Sequence, residues 1–437
     1  MTKLQNLYRG LKLLTVPMKN TNTLTTLVIV GTGSKYENKT NNGISHFLEH
    51  LFFKGTRKRP SALAISSELD SLGAEFNAFT AKEYTGFWVK SRKKNLGEVL
   101  DIISDILMNS KFATEEIERE RGVITEEINM YFDNPLMYIE DVFETCLYGD
   151  TPAGWDTIGT KDNIAKLKRE DFINYLQAQY GSGNTIVCLV GNLGAGEKQI
   201  AKLINKYFGR GNFLKWGQSF KEKQPVEEKQ SAPQIRINFK ETDQTHLSLG
   251  FRTFGYYHEE KNIVKLMSII LGGSMSSRMF IRLRERAGLG YYVHTNSEFY
   301  TDTGYLTTRA SVKTGAIKKA LHIILQEYKK MAQVLVDKQE LQRTKDLLCG
   351  RLVLQLETSD NLAEWYGRQA ILSHALARTI STKEKILSPQ EYLTKINKIT
   401  ATDIRRLSQQ IFVKQGLNIA IIGPFKDKKR FEKILKI

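Results

Sequence analysis

Short apolar runs recur along the chain, and between them apolar residues fall at helical spacing. Leu11-Lys-Leu-Leu-Thr-Val16, Thr25–Gly31, Thr185-Ile-Val-Cys-Leu-Val-Gly191, Leu247–Phe251 and Asn418-Ile-Ala-Ile-Ile-Gly423 read as strands. The stretch Thr114-Glu-Glu-Ile-Glu-Arg-Glu-Arg-Gly-Val-Ile-Thr-Glu-Glu-Ile-Asn-Met-Tyr131 reads as a helix instead. Its apolar stripe is Ile117, Ile124, Ile128 and Tyr131, Thr114 is its expected N-cap, acids fill its first turn, and Pro135 marks its end. Leu72-Gly-Ala-Glu-Phe-Asn-Ala-Phe-Thr80 has the pattern of an edge or hairpin strand.

The pattern repeats. Gly86-Phe-Trp-Val followed by a helix through Leu107 parallels Gly304-Tyr-Leu-Thr followed by a helix through Tyr328, and Thr185–Gly191 parallels Asn418–Gly423. Offsets of this kind, on the order of 220 to 230 residues, predict two copies of one α+β domain. The expected boundaries are residues 1–212 for the first domain and 234–437 for the second. The polar, proline-bearing stretch 213–233 is the expected linker. Gly191-Asn-Leu-Gly194-Ala-Gly196 follows a strand but lacks the Gly-Lys-Ser/Thr ending of a phosphate loop, so a strand-to-helix turn is expected there.

Composition narrows the class. The 437 residues are 41% hydrophobic, ordinary for a globular chain, and no apolar run reaches the roughly 18 residues of a membrane span. The polar start Met1-Thr-Lys-Leu-Gln-Asn-Leu7 carries no expected signal or transit peptide. Three cysteines, Cys146, Cys188 and Cys349, lack Cys-x-x-Cys spacing, which argues against a disulfide framework and for a cytoplasmic location. The net charge of +17 is uneven: residues 1–210 hold 26 Lys/Arg against 25 Asp/Glu, and the remainder 38 against 22. The lysines are scattered, with no arginine cluster on a recognition helix, so the basic half is expected to be solvated surface, with neither a nucleic acid nor a membrane as partner.

Against this background His46-Phe-Leu-Glu49-His50 stands out, because the chain has only 7 histidines. Positions i, i+3 and i+4 share a helix face, so both imidazoles and the carboxylate point to one spot. Two imidazoles so placed can share a zinc ion, and a carboxylate that does not ligate can take a proton from water on the metal. A third ligand should be a carboxylate from elsewhere. In the 114–131 helix Glu120 and Glu127 lie on one line bordering the apolar stripe, while Glu126 projects to nearly the opposite side. A carboxylate at a core margin needs a partner, which selects Glu127 as ligand and Glu120 as a supporting acid.

With Glu127 placed 77 residues after His50, in Glu-Arg-Gly-Val-Ile-Thr-Glu-Glu, the chain resembles the insulinase/pitrilysin family of zinc peptidases with the inverted His-x-x-Glu-His motif. Its length and two-domain layout are most similar to the branch of mitochondrial processing peptidase and its bacterial relatives. The resemblance implies that His46, His50 and Glu127 bind one zinc per chain, that Glu49 activates the water, and that Glu120 supports the site. It implies an antiparallel sheet packed against helices in each domain, the two together forming half of a clamshell. It also implies that the 72–80 strand accepts peptide substrates by strand addition, with Asn77, Ala78 and Phe79 in contact largely through backbone groups. The segment Ser276–Tyr291 resembles the signature opposite the zinc, whose Arg and Tyr, here Arg284 and Tyr291, hold the substrate backbone and the developing oxyanion. Because a full chamber takes four such domains, a C2 homodimer is expected, with Arg284 and Tyr291 acting in trans. The leading expectation is thus a zinc endopeptidase for peptides and unfolded segments. The alternatives are a non-catalytic structural subunit, which would require loss of zinc residues that are present here, and a basic nucleic-acid or membrane adaptor.

Overall fold

The computed structural model describes residues 2–194, 196–218, 220–379 and 386–435. In chain order the first half runs β1 (Lys3–Asn6), β2 (Lys12–Pro17), β3 (Thr23–Val30), α1 (Ile44–Phe52), α2 (Ala62–Ser71), β4 (Glu75–Thr80), β5 (Thr85–Arg92), α3 (Leu96–Asn109), α4 (Thr114–Asp133), α5 (Pro135–Tyr148), α6 (Lys161–Lys166), α7 (Arg169–Gln179), β6 (Thr185–Gly191) and α8 (Glu197–Phe208). The second half runs β7 (Gln234–Phe239), β8 (Gln244–Thr253), α9 (Lys261–Gly272), β9 (Tyr292–Phe299), β10 (Gly304–Lys313), α10 (Ile317–Gln333), α11 (Lys338–Gln355), α12 (Ser359–Thr379), α13 (Pro389–Lys398), α14 (Ala401–Ile411), β11 (Leu417–Gly423) and α15 (Lys429–Glu432).

The repeat seen in the sequence is a repeat of topology. One sheet has the order β1-β2-β6-β3-β5-β4 and the other β7-β11-β8-β10-β9, so five strands correspond one to one and β1 is an addition. The sheets are antiparallel except for one parallel pair in each, β2 with β6 and β7 with β11. Those partners are joined by most of a domain, and only such a long crossover can return a strand in the same direction. The glycine-rich segment after β6 leads into α8; position 195 of the expected strand-to-helix turn lies outside the described residues. Gly191 has φ 131°, and a Cβ there would come within 2.5 Å of the Thr23 carbonyl oxygen. No helix among the described residues is long and apolar enough to cross a membrane.

The compact units are not continuous stretches of chain. The first comprises residues 1–128, 156–224 and 353–387, the second 129–155, 225–352 and 388–437. In the first, one sheet face packs Leu24, Val28, Val187 and Leu189 against α1, α3, α7 and α8, including Phe47, Ile103, Phe172 and Ile204. The opposite face carries Leu27, Ile29 and Cys188 and is covered by α12, where a Cβ on Gly367 would meet Leu27 at 2.9 Å and Cys188 at 3.3 Å. The Thr25 and Ser359 hydroxyls, 2.8 Å apart, tie the same helix down. The second unit mirrors this plan. Its inner face packs Leu247, Leu249, Ile419 and Ile421 against α9, α10 and α14. Its outer face is covered by α5, through Ile139, Val142, Phe143 and Leu147 against Ala420, Ile422 and Tyr305.

Candidate metal centre

Helix α1 lies under the sheet with Phe47, Leu48 and Leu51 fully buried, which leaves His46, Glu49 and His50 on its other side. Helix α4 crosses beside it. Ile117, Ile124 and Ile128 face the core, Glu120 is buried, Glu127 is half-buried and Glu126 is exposed, the order that its helical phase predicts. The N-cap is shifted from expectation: Thr114 is the first helical residue, and Ala113 caps it, its carbonyl accepting from the Ile117 N–H at 3.0 Å.

Ligand atoms of His46, His50 and Glu127 lie within 4.8 Å of one another. Glu127 Oε2 is 3.7 Å from Nε2 of each imidazole. Tetrahedral zinc with bonds of about 2.0–2.1 Å would bring its ligand atoms to roughly 3.3 Å, so the three residues fit a zinc ion with a small closure. Their protonation also suits a metal. Burial, with the neighbouring His50, pushes His46 down to about 3, leaving it the neutral imidazole that ligation needs. Burial raises the Glu127 carboxyl, against the opposing pull of His50; such a carboxylate gains from a cation.

The surrounding groups orient this set. His50 Nδ1 is 3.0 Å from Glu120 Oε2, which fixes the imidazole with Nε2 toward Glu127. Lys54, one turn beyond His50, pairs with the other Glu120 oxygen at 2.7 Å. Burial disfavours ionisation of Glu120, yet these two contacts outweigh it and hold the carboxyl below its usual range. Glu49 is outside the ligand cluster: its Oε2 accepts from the Thr80 hydroxyl at 2.5 Å, and burial raises its carboxyl. Neither Lys54 nor Thr80 was singled out in the sequence. The i, i+4 spacing of His50 and Lys54 was a usable signal, whereas the contact of Thr80 with Glu49 bridges 31 residues and left none.

Strand β4 is an edge strand, paired among the described residues only with β5. Ala81 N–H donates to Tyr84 O at the hairpin end, so alternation makes Phe79–Gly86, Asn77–Trp88 and Glu75–Lys90 the hydrogen-bonded pairs. Backbone groups of Phe76, Ala78 and Thr80 therefore turn to the open edge. Of Asn77, Ala78 and Phe79, Ala78 is the one whose backbone groups turn to that edge, since the other two spend theirs on β5. The Asn77 side chain accepts from the Ala78 N–H at 2.9 Å.

In the second unit Arg284 sits in a π-helical turn, Phe280–Arg286, and Tyr291 is exposed just before β9. The Arg284 guanidinium lies 4.7 Å from the Phe280 ring centre and 4.5 Å from that of Tyr291. Neighbouring Arg282 is engaged with Glu327 at 2.7 Å and Arg278 with Glu340 at 2.6 Å, so the arginine stacked on Tyr291 is Arg284. With Gln244, Leu289, Ser311 and Lys313 the pair lines a cavity of about 320 Å³.

A family model described as insulinase (peptidase family M16) matches residues 13–161, and one described as peptidase M16 inactive domain matches residues 166–348. An uncharacterized zinc protease of Rickettsia bellii is 33% identical over 434 residues, 97% of each chain. An uncharacterized zinc protease of Bacillus subtilis is 30% identical over 400 residues, 91% of this chain and 92% of that one. In fold, a protease from Helicobacter pylori superposes with a TM-score of 0.84 at 20% identity, covering 97% of this chain and 100% of the other. A peptidase M16 inactive domain structure from Pseudomonas fluorescens gives 0.85 at 16% identity, covering 97% and 98%.

Proposed function

The chain belongs to the insulinase peptidase family, M16, and on that premise we propose that it is a zinc-dependent endopeptidase cutting peptides and unfolded segments inside a closed chamber. The observation that carries this is the convergence of His46, His50 and Glu127 within 4.8 Å, beside a half-buried carboxyl, Glu49, that is left out of the cluster. A structural subunit without catalysis would have no use for that set, which weighs against the alternative reading.

His46, His50 and Glu127 would hold one zinc per chain. Bound there, zinc would supply Lewis acidity, enough to bring the pKa of a water toward neutrality and to polarise a carbonyl. Glu49 takes the proton as water attacks the scissile carbonyl and returns it to the leaving amine. Its burial brings its basicity nearer the working pH, and the Thr80 hydroxyl holds Oε2 in place. Glu120 keeps His50 in one tautomer and orientation. The substrate adds as a strand to β4, where Ala78 offers backbone groups and Asn77 and Phe79 offer side chains, with the Asn77 amide yielding the Ala78 N–H to a substrate carbonyl. Arg284 and Tyr291, already stacked, hold substrate and oxyanion from a second copy of the chain in a C2 homodimer.

Elemental analysis of the purified protein, paired with cleavage of an unstructured peptide before and after chelation, tests the reading. Bound zinc and chelator-sensitive, zinc-restorable cleavage are expected. A metal-free protein that cuts the peptide, or a zinc-loaded one that cuts none, would overturn it.

A further inference from the structure

Helix α1 carries both histidines but has no capping side chain of its own. Its N-cap is Gly43, at φ 100°, and a Cβ there would come within 2.7 Å of the Ile158 carbonyl oxygen and 3.0 Å of the Gly159 Cα. The passing 158–159 backbone and the left-handed conformation together demand glycine, so Ser, Thr, Asp and Asn, the side chains that usually satisfy a first turn, are excluded.

A residue six positions earlier does that work. Glu37 Oε2 accepts from the Gly43 N–H at 2.8 Å and from Asn42 Nδ2 at 3.0 Å, and Oε1 accepts from the Ser45 N–H at 2.8 Å. The carboxylate is only 5% exposed and sits at the positive end of the helix, where an anion is favoured. The same turn is tied a second time, since the Ser45 hydroxyl is 2.8 Å from the Tyr175 hydroxyl, itself 3.1 Å from that of Thr32.

The two imidazoles on α1 are held differently. His50 has Glu120 on its Nδ1. His46 Nδ1 is buried with no hydrogen-bond partner among the described residues, so no side chain orients that ring from behind. His46 is the third residue of the helix, inside the turn that Glu37 clamps. We infer that Glu37 is a positioning residue for His46: by fixing the backbone of the first turn it does for this ligand what Glu120 does for His50 through the ring. This rests on the zinc-peptidase reading above.

Glutamine in place of Glu37 has one acceptor oxygen where the site presents three donors, so its amide must face an N–H. Zinc affinity of the full-length protein is measured by chelator competition, well below the unfolding temperature of the metal-free form. Glu37→Gln should weaken zinc about tenfold or more, and Glu37→Asp, which keeps the charge on a shorter stem, by about three- to tenfold. The absorption spectrum of the cobalt-substituted protein should change with Glu37→Gln, which reports ligand geometry rather than stability. Ile204→Val, in the core on α8, should lower the unfolding temperature and leave affinity and spectrum unchanged. Zinc binding within about twofold of wild type by Glu37→Gln, or by Glu37→Asp if the Gln variant does not fold, would overturn the inference, as would an equal loss in Ile204→Val. Wild-type protein that binds no more zinc than His46→Ala would sink the zinc reading itself.

Discussion

Glu49 and Glu127 are both carboxyls raised by burial, yet their surroundings assign them different chemistry. Glu127 faces two imidazole nitrogens at 3.7 Å, the company of a ligand, whereas Glu49 is held by a neutral hydroxyl. Glu49→Gln should therefore keep zinc and lose about 10²–10⁴-fold in kcat, the usual worth of a general base. His50→Ala and Glu127→Ala should lose the metal as well. Zinc content and peptide turnover of the same preparations check both, and wild-type turnover by zinc-replete Glu49→Gln would remove the proposed base. Thr80→Val takes away the hydrogen bond to a charged oxygen, worth about 1.5–3 kcal/mol. It should lower kcat roughly tenfold with zinc content intact; an unchanged kcat would show that Thr80 does not orient Glu49.

Two elements around the site make separable predictions. In β4 only alternate residues face the open edge, so Ala78→Pro deletes an N–H that β5 does not use. The variant should fold and bind zinc but lose most of its kcat/KM for peptides, and retention of full kcat/KM would rule out strand addition here. The loop after α1 is held by Arg59, 2% exposed, which bonds Glu68 of α2 at 2.6 and 2.7 Å and Asp101 and Asp105 of α3 at 2.7 and 2.8 Å. Arg59→Met leaves Asp105 buried without its cation, a loss on the order of 3–5 kcal/mol. Denaturant unfolding of the metal-free protein measures it, and a change below about 1 kcal/mol would show that the Thr56 hydroxyl, 2.6 Å from Asp105, suffices.

At the scale of the whole molecule, the two repeats exchange equivalent helices: α5 covers the second sheet and α12 the first. A chain ending at residue 224 would lack α12 and expose Leu27, Ile29 and Cys188, which are 0–1% exposed in the complete protein. Uncovering each large apolar side chain costs about 1.5–3 kcal/mol, against a net stability of about 5–15 kcal/mol, and the polar ties of α12 go with them. The fragment should aggregate or remain unfolded, and a cooperative unfolding transition from it would show that the exchange is dispensable. The proposed homodimer has its own test. Glu49→Gln and Arg284→Ala proteins should each be nearly inactive, and mixing them should restore activity by forming one intact site per mixed dimer. Subunit exchange without restored activity would disprove action in trans.

The sequence by itself determined what depends on local period. The i, i+3, i+4 pattern placed His46, Glu49 and His50 on one helix face, and phase against the Ile117–Ile124–Ile128 stripe separated Glu127 from Glu126. The offset of the strand patterns disclosed the duplicated sheet. Tertiary structure decided what joins residues distant in the chain. Thr80 reaches Glu49, Glu37 caps a helix whose N-cap a passing backbone restricts to glycine, and hydrogen-bond alternation with β5 selects which β4 residues face outward. The exchange of α5 and α12 belongs to the same class. A helix with an apolar face is legible in sequence, but which of two similar sheets it covers depends on the path of the chain in space, to which periodicity is blind.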